Sequence, residues 1–423
     1  YPLDNTIQKY PWGDKLLMPG FLGKSNPGNE PWAELWMGAH PKAPSMALCP
    51  DGSSMGLDKL IEKDPPGMLG IGAVERFAGK LPFLFKVLSA GMPLSIQAHP
   101  SKLKAQRGFA KEQEAGIPLD APERNYRDDN HKPETVVALT RFDGLCGFRP
   151  IDEIILNIKL ASGARWRNYA GRLAADPGKL ELSVLFYNMV SLKGQNKAYV
   201  LKATRLRGER IVQEEPPGSS IATIFNWILK LMDEYPGDIG ALAPLLLNLF
   251  TLEPGQALFL AAGEPHAYLG GLAAEIMANS DNVLRGGLTS KHIDIPELIS
   301  VLNFDSHPIG ILDAKPGPDG FSSYPVRCDD FMISRARPKG SLMVEDRPES
   351  PEILLCTDGQ LEISLLPGKQ SKNGQAVVLK KGESAFIPAS ETTYQIEGQG
   401  ELFKAAVPAI QILRVPSALP ARQ

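Results

Sequence analysis

Two side chains that could bind a metal ion stand two residues apart in the short segment at residues 95–100, SIQAHP. On a β-strand, Gln97 and His99 would project from the same face, so an amide oxygen and an imidazole nitrogen could reach one ion. A hydrogen-bonded pair with a purely structural role would show the same spacing. The motif predicts a candidate metal site and leaves that alternative open.

A second polar group, at residues 130–134 (NHKPE), leads directly into the apolar run TVVAL. Glu134 could add a carboxylate ligand to Gln97 and His99. Lys132 could act as a general base if its surroundings favoured the neutral amine. A solvated turn before a strand is the alternative interpretation, because polar loops commonly precede strands.

A further histidine, His266, follows an apolar run and enters a glycine-rich turn at residues 263–271. Histidines in such turns are commonly surface residues, but three of the six histidines in this chain fall in these polar groups. Together with His266, the three side chains Gln97, His99 and Glu134 would form a mixed nitrogen and oxygen set. Such a set suits Zn²⁺ and leaves positions open for substrate or water.

Residues 279–291 (NSDNVLRGGLTSK) carry positive charge beside two consecutive glycines. Arg285 offers a planar fork of donors and Lys291 a point charge, while the glycines would let the backbone approach a ligand closely. These features favour a phosphate site. A plain loop in which Arg285 pairs with Asp281 has the same composition and stays an alternative.

The elements that must position these residues follow a β, α, β, β order. Residues 1–150 are rich in glycine, proline and short apolar runs, which indicate strands and turns. Apolar residues then recur at helical spacing, and a helical block is predicted at residues 151–248. Strands return past Thr251, and Thr357-Asp358-Gly359 between two alternating apolar runs predicts a hairpin turn.

A weak internal repeat relates GQALFL at residues 255–260 to GESAFI at residues 382–387. Both segments are typical of a turn and strand in a small β-barrel, although two unrelated units of similar turn composition would look alike. Eleven residues after the first glycine stands His266, whereas Thr393 stands at the same distance in the second copy. The second copy should therefore lack a metal.

The overall composition excludes several classes of protein. The chain has 423 residues, 43% of them hydrophobic and 22% charged, with a formal net charge of −3, so it lacks the basic stripe of a nucleic-acid-binding protein. Its four cysteines are widely scattered, which argues against a disulfide framework. Without a long apolar run or a signal-peptide pattern at the start, a cytoplasmic protein is expected.

Taken in order, the polar motifs resemble those of type I phosphomannose isomerases, members of the cupin superfamily. The matching segments are residues 8–13 (QKYPWG), 32–38 (WAELWMG), 95–100, 131–134, 264–268 (EPHAY) and 284–289 (LRGGLT). The resemblance covers the chain to about Leu302 and, more faintly, the rest. It implies a mainly β fold with an inserted α-helical domain and two cupin-type jelly-roll barrels. The catalytic barrel would comprise residues 1–150 and 249–320, the helical domain residues 151–248, and the metal-free C-terminal barrel residues 321–423.

The resemblance also implies reversible isomerisation of mannose 6-phosphate and fructose 6-phosphate at one zinc ion, in support of mannose metabolism and GDP-mannose synthesis. The metal ligands would be Gln97, His99, Glu134 and His266. The catalytic residues would be Arg285, Lys132, Asp281 and His131, and the substrate-binding residues Lys86, Glu275, Lys291, Ser95 and Tyr268. The partner would be a small sugar phosphate, with no nucleic acid or membrane involved, and a monomer is expected.

Within that mechanism, a proton would move between C1 and C2 through a cis-enediol, with either Lys132 or Asp281 as the base. His131 would assist ring opening, and Arg285 would stabilise the developing anion or hold the phosphate. Two departures from the family pattern, Ala39 in place of threonine and the residues around Lys291, leave the metal set intact but weaken Lys291 as a phosphate ligand.

Two other functions remain compatible with the residues. A cupin oxygenase would usually bind its iron with three histidines and one glutamate, whereas the set proposed here contains Gln97. A non-catalytic, sugar-binding protein with two cupin barrels would have little reason to retain Lys132, Glu134 and Arg285 beside a complete metal set. A fused nucleotidyltransferase is not expected, because the chain has no glycine-rich phosphate loop of the required kind.

Overall fold

The computed structural model describes residues 1–161, 164–345, 347–366 and 376–408. In the first third of the chain, short strands alternate with short helices. These elements are β1 Pro2–Asp4, β2 Thr6–Gln8, α1 Leu17–Leu22, β3 Glu34–Met37, β4 Met46–Leu48, β5 Ser54–Gly56, α2 Leu57–Lys63, α3 Pro65–Leu69, α4 Ile71–Phe77, β6 Phe83–Ala90, β7 Ile96–Ala98, α5 Lys102–Glu114, β8 Glu134–Ala138 and β9 Phe142–Phe148.

A run of helices follows β9. They are α6 Ile151–Ala161, α7 Ala164–Ala175, α8 Lys179–Val190, α9 Gly194–Glu214, α10 Ser220–Glu234 and a 3₁₀-helix at Ile239–Leu245. Helix α10 begins where the Ser219 hydroxyl accepts a hydrogen bond from the Ala222 amide, and its apolar face, which includes Phe225 and Ile228, is fully buried. Among the described residues, every helix is too short or too polar to cross a membrane.

The rest of the chain is again mainly β. Its elements are β10 Leu247–Leu252, β11 Ala257–Leu260, β12 His266–Ala278, β13 Leu284–Gly287, α11 Ile295–Val301, β14 Lys315–Pro316, β15 Ser322–Ser323, β16 Met332–Ala336, β17 Lys339–Val344, β18 Glu352–Leu365, β19 Ala376–Lys380, β20 Ser384–Ile387 and β21 Tyr394–Ala406. The prediction of a strand-rich fold that also contains helices is confirmed. All four cysteines are free thiols.

The predicted hairpin turn at residues 357–359 is wrong. These residues lie inside the long strand β18, which pairs with β21. The pairing shifts by one residue between Cys356 and Asp358, and Gly359 has a φ of +73°. An Asp-Gly pair suits a β-bulge as well as a hairpin turn, because both can place a residue at positive φ.

A ten-stranded sheet is organised around β12, which pairs with β6, β7, β8 and β9. Strand β13 joins it through β7, and β11 joins through β8. Strand β6 (FLFKVLSA) is buried along its whole length, as its nearly continuous apolar sequence predicts. The segments that carry the candidate metal and phosphate residues therefore meet in one sheet.

An eleven-stranded sheet contains the strands from β14 onwards, together with β1, β4 and β5 from the start of the chain. Strand β1 pairs with β20 on one side and with β4 on the other. One apolar core joins the two sheets, since Phe83 and Phe85 of β6 cluster with Phe386 and Phe403. The boundaries of the three predicted domains stay a prediction.

The two copies of the internal repeat have the same local structure. Gly255 has a φ of +91° and Gly382 a φ of +87°, and each precedes a strand of four residues, β11 or β20. The next strand, β12 or β21, has thirteen residues in both copies. His266 is the first residue of β12, and Thr393 immediately precedes β21.

Candidate metal and substrate site

Three buried side chains converge at the ends of strands in the ten-stranded sheet. His99 follows β7, Glu134 is the first residue of β8, and His266 is the first residue of β12. Glu134 Oε2 is 3.4 Å from His99 Nε2 and 3.3 Å from His266 Nε2. The ligand atoms of the three residues all lie within 4.8 Å of one another, close enough to bind a single ion.

The atoms that face one another in this group lack hydrogen-bond partners among the described residues. They are His99 Nε2, His266 Nε2 and Glu134 Oε2. Burying unpaired polar atoms together is costly unless another group satisfies them. The second nitrogen of each ring is occupied: His99 Nδ1 donates to the Asn282 carbonyl at 2.7 Å, and His266 Nδ1 to the Glu264 carbonyl at 2.9 Å. These bonds direct the lone pair of each Nε2 towards Glu134, so the residues present fit a divalent metal ion.

The charge states of these residues also suit a metal. Burial, followed by the positive charge of Lys132, lowers the pKa of His99 to about 4, so the imidazole is neutral at physiological pH. Burial alone would raise the pKa of Glu134, but Lys132 and the two histidines outweigh it and hold that pKa well below its usual value. Lys132 Nζ is 3.0 Å from Glu134 Oε1. One carboxylate oxygen therefore contacts the lysine, while the other faces the imidazoles.

Gln97 joins this group through the register of the strands. It is paired with His266 of β12 on one side and with Arg285 of β13 on the other. Residues directly opposite each other on neighbouring strands project from the same face of a sheet. Gln97 is therefore on the face that carries His266. Its role as a fourth ligand stays a prediction.

Three of the predicted substrate-binding residues form one buried network. Lys86 Nζ is 3.0 Å from Glu275 Oε2 and 3.6 Å from Glu34 Oε1. Tyr268 donates its hydroxyl to Glu275 Oε1 at 2.8 Å. Burial alone would lower the pKa of Lys86, but Glu275 and Glu34 outweigh it and raise that pKa. The pKa of Glu275 is raised, chiefly by burial.

Substituting Lys86 with methionine should lower the free energy of unfolding by about 3–5 kcal/mol, because Glu275 would stay buried without its cation. Urea unfolding followed by circular dichroism measures the loss. Lys59→Met is the matched control, since Lys59 is an exposed lysine that pairs with the exposed Glu62 and should cost little. If both variants lost the same free energy of unfolding, the buried pair of Lys86 and Glu275 would not be important for stability.

His131 and Ser95 lie at the edges of the site. His131 Nε2 is 2.8 Å from Asp330 Oδ2, just before β16, and 28% of the His131 side chain is exposed. Ser95 is half-buried and immediately precedes β7. The roles assigned to these two residues stay predictions.

Asp281 lies between β12 and β13 and is already paired with a cation, Lys42, beside a buried histidine, His40. Lys42 Nζ is 2.7 Å from its Oδ2, and His40 Nε2 is 3.7 Å from its Oδ1. Burial alone would raise the pKa of Asp281, but Lys42 and His40 outweigh it and lower that pKa. A carboxylate with a lowered pKa is a weaker proton acceptor.

Arg285, Lys291 and Arg127 concentrate positive charge next to the metal group, since Arg285 is paired with Gln97. Burial and then Arg127 lower the pKa of Arg285, and burial, Arg285 and Arg127 lower that of Lys291, as expected for cations that repel one another. In the part of the chain that the structure describes, no acidic side chain pairs with Arg285 or Lys291. The alternative pairing of Arg285 with Asp281 does not occur, since Asp281 pairs with Lys42. An anion bound here would relieve the repulsion.

Comparisons with known proteins identify the family. The family model described as phosphomannose isomerase type I, catalytic domain, matches residues 1–151, and the one described as mannose-6-phosphate isomerase, cupin domain, matches residues 322–407. The mannose-6-phosphate isomerase of Salmonella typhimurium is 42% identical over 404 residues, which cover 95% of this chain and 97% of that protein. The chain belongs to the type I mannose-6-phosphate isomerase family. The human mannose-6-phosphate isomerase is 36% identical over 413 residues, which cover 93% of this chain and 94% of that protein.

Solved structures of mannose-6-phosphate isomerases agree with the fold. A single-site variant of phosphomannose isomerase from Salmonella typhimurium aligns with a TM-score of 0.87 at 39% identity, covering 96% of this chain and 99% of that chain. A zinc-bound mannose 6-phosphate isomerase aligns with a TM-score of 0.86 at the same identity and coverage. The family predicted from the motifs is confirmed, and this membership argues against the oxygenase and the non-catalytic protein.

Sequence reasoning missed four residues that contact the candidate site residues or change their pKa values. They are Glu34, His40, Lys42 and Arg127. Glu34 lies inside a matched motif and His40 follows it by two residues, so polar residues next to a motif were an available signal. Lys42 and Arg127 carried no signal, because their proximity to Asp281 and Arg285 depends on how distant loops pack.

Proposed function

We propose that this protein interconverts mannose 6-phosphate and fructose 6-phosphate as a zinc-dependent aldose-ketose isomerase. The observation that carries the proposal is the set of three buried, unpaired ligand atoms on His99, Glu134 and His266. Arg285, a cation without an acidic partner in the described chain, and His266 lie on the two strands that flank β7, each opposite Gln97. A metal ion and an anionic substrate would thus be held side by side.

Zinc fits the donors that these residues provide. Two imidazole nitrogens and a carboxylate, with the Gln97 amide as the proposed fourth donor, make a set that leaves room for substrate. A related mannose 6-phosphate isomerase has been solved with zinc bound. When bound, zinc supplies a Lewis acid that polarises the sugar oxygens at C1 and C2.

The side chains of the protein would then move a proton between C1 and C2 of the open-chain sugar through a cis-enediol(ate). Lys132 is the proposed base, because it is buried and lies next to the metal group. It would have to act as the neutral amine, a form that burial and a metal cation bound to Glu134 would favour. Asp281 is the weaker candidate, since Lys42 already neutralises its charge. Arg285 would hold the phosphate or stabilise the developing negative charge, and His131 would assist ring opening.

The other proposed substrate contacts come from the buried network, from the residue before β7 and from the segment after β13. Lys86, Tyr268 and Glu275 hold one another in fixed positions, which favours a preorganised pocket. Ser95 and Lys291 would add polar contacts to the sugar phosphate.

The finer architecture and the cellular role belong to the same proposal. Two cupin-type barrels are supported by the matching turn, short strand and long strand in β11–β12 and β20–β21. The helical residues 151–248 would be an insertion into the first barrel. A monomeric, cytoplasmic enzyme that supplies mannose 6-phosphate for GDP-mannose synthesis completes the proposal.

Removal and return of the metal tests the reaction and the cofactor together. Chelator-treated protein should lose mannose 6-phosphate conversion in a coupled assay for fructose 6-phosphate, and Zn²⁺ should restore it. Mg²⁺ is the control, because it demands octahedral oxygen ligands that this site does not offer. A protein that contains zinc but converts no mannose 6-phosphate would refute the proposed function.

A further inference from the structure

A large pocket lies outside the metal site. Its walls come from α5, the loop at residues 115–126 and the segment that leads into α11, and its volume is about 550 Å³. Small-molecule sites usually have volumes of about 300–1,000 Å³. The lining contains none of the metal, catalytic or substrate-binding residues named above. The proposed isomerase reaction does not account for this pocket.

One wall of the pocket is cationic. Lys104, Arg107 and Lys111 of α5 line it, and their spacing of three and four residues places them on one face of the helix. Within residues 1–161 and the other described ranges, the charged ends of these three side chains form no hydrogen bond or ion pair. Their donors are therefore available to an anion, and a guanidinium with two ammonium groups suits a phosphate.

The opposite wall offers hydrogen-bond acceptors. Asp294 Oδ1 accepts from the Glu297 amide at 3.0 Å, and its Oδ2 accepts from the Asn125 side chain at 3.0 Å. Glu297 Oε1 accepts from the Tyr126 hydroxyl at 2.5 Å. Glu297 Oε1 also accepts from the Ser300 hydroxyl at 3.2 Å, so its second oxygen, Oε2, is the one left for a ligand. Each oxygen of Asp294 keeps a further lone pair after these bonds. This wall suits the hydroxyl groups of a sugar.

The pocket is preformed, because hydrogen bonds join its three walls. Glu112, on the inner face of α5, accepts from the Asn125 amide at 3.0 Å and from the Tyr126 amide at 2.9 Å. Asn125 and Tyr126 then reach across to Asp294 and Glu297. A ligand would meet a rigid cavity and would not have to order it, which lowers the entropic cost of binding.

We infer that this pocket is a second binding site for a sugar phosphate. The phosphate of the ligand contacts Lys104, Arg107 and Lys111, and the hydroxyl groups of its sugar face Asp294 and Glu297. The site is separate from the metal but close to it along the chain, since α5 begins three residues after His99. This inference goes beyond the proposed isomerase function and does not depend on the metal.

Equilibrium dialysis with labelled glucose 6-phosphate tests the second site on the full chain. The wild-type protein should bind the probe, and Arg107→Gln combined with Lys111→Gln should reduce the affinity of one class of bound probe by at least about 10-fold, since two charge-assisted contacts are lost. Both residues are exposed on α5, so the variant should fold and convert mannose 6-phosphate at the wild-type rate. Lys202→Gln with Arg210→Gln, which removes the same charges from the exposed face of α9, should leave binding of the probe unchanged.

The outcomes separate this site from the reaction. No binding by the wild-type protein, or binding that the α5 variant leaves unaltered, would overturn the inference even if the isomerase is fully active. If the α9 variant also lost affinity, the effect would come from the net charge of the protein and not from the pocket. That result would also overturn the inference. Inorganic phosphate that displaces the probe as readily as unlabelled glucose 6-phosphate would refute the role of the sugar hydroxyls.

Discussion

Glu134→Gln should lower the affinity for zinc by more than about 100-fold. Altering a residue that only hydrogen-bonds to a metal ligand costs up to about 100-fold, and the loss of a ligand should cost more. The substitution keeps the shape of the side chain but removes the negative charge that faces His99 and His266 at 3.4 and 3.3 Å. It also leaves Lys132 without its carboxylate partner. Zinc content after dialysis, measured by atomic emission, and the rate of mannose 6-phosphate conversion should fall together.

Glu352→Gln is a suitable control for that experiment. Glu352 is also buried and contacts a cation, with Arg347 Nε 3.2 Å from its Oε1, but it lies in the eleven-stranded sheet. This variant should unfold more easily than the wild-type protein and still retain zinc. Full zinc occupancy in Glu134→Gln would show that the Glu134 carboxylate is not a zinc ligand.

Arg285→Ala should reduce turnover by about 100- to 1,000-fold, the usual cost of losing one preorganised group that stabilises transition-state charge. Zinc content should stay at the wild-type level, because Arg285 pairs with Gln97 through the strand backbone and is not itself a proposed ligand. Steady-state kinetics with mannose 6-phosphate, together with zinc analysis, measures both effects. Unchanged turnover would exclude Arg285 from the mechanism.

The kinetic parameters of Arg285 variants separate the two roles left open for this residue. A rise in KM alone would indicate that Arg285 holds the phosphate, whereas a fall in kcat would indicate stabilisation of the transition state. Arg285→Lys retains the charge but loses the planar fork, so it should recover only part of the activity. Arg210→Ala, on the exposed face of α9, is the control for removal of an arginine and should leave both parameters unchanged.

The candidate metal site was predictable because its residues stand at informative positions in short segments. Gln97 lies in β7 and His99 directly follows that strand, and Glu134 and His266 each begin a strand. The identity of the family followed from the order of several such motifs along the chain. These signals are local, so a single sequence contains them.

The contacts of Arg285 and Asp281 were not predictable from the sequence. The pairing of Asp281 with Lys42 joins residues more than two hundred positions apart, and no periodicity records such a contact. The error at Asp358 and Gly359 has a different cause, since the same dipeptide serves in a hairpin turn and in a bulge. Only the pairing of β18 with β21 distinguishes the two.

The pairing of β1 with β20 has a consequence for synthesis of the chain. Ala385 is the partner of Pro2, so β1 stays without that partner until nearly four hundred further residues have been made. At about 5–20 residues per second, the interval is roughly 20 to 80 s. Unpaired strand edges can bind the wrong partner during such a wait, but β1 has only three residues, which limits this hazard.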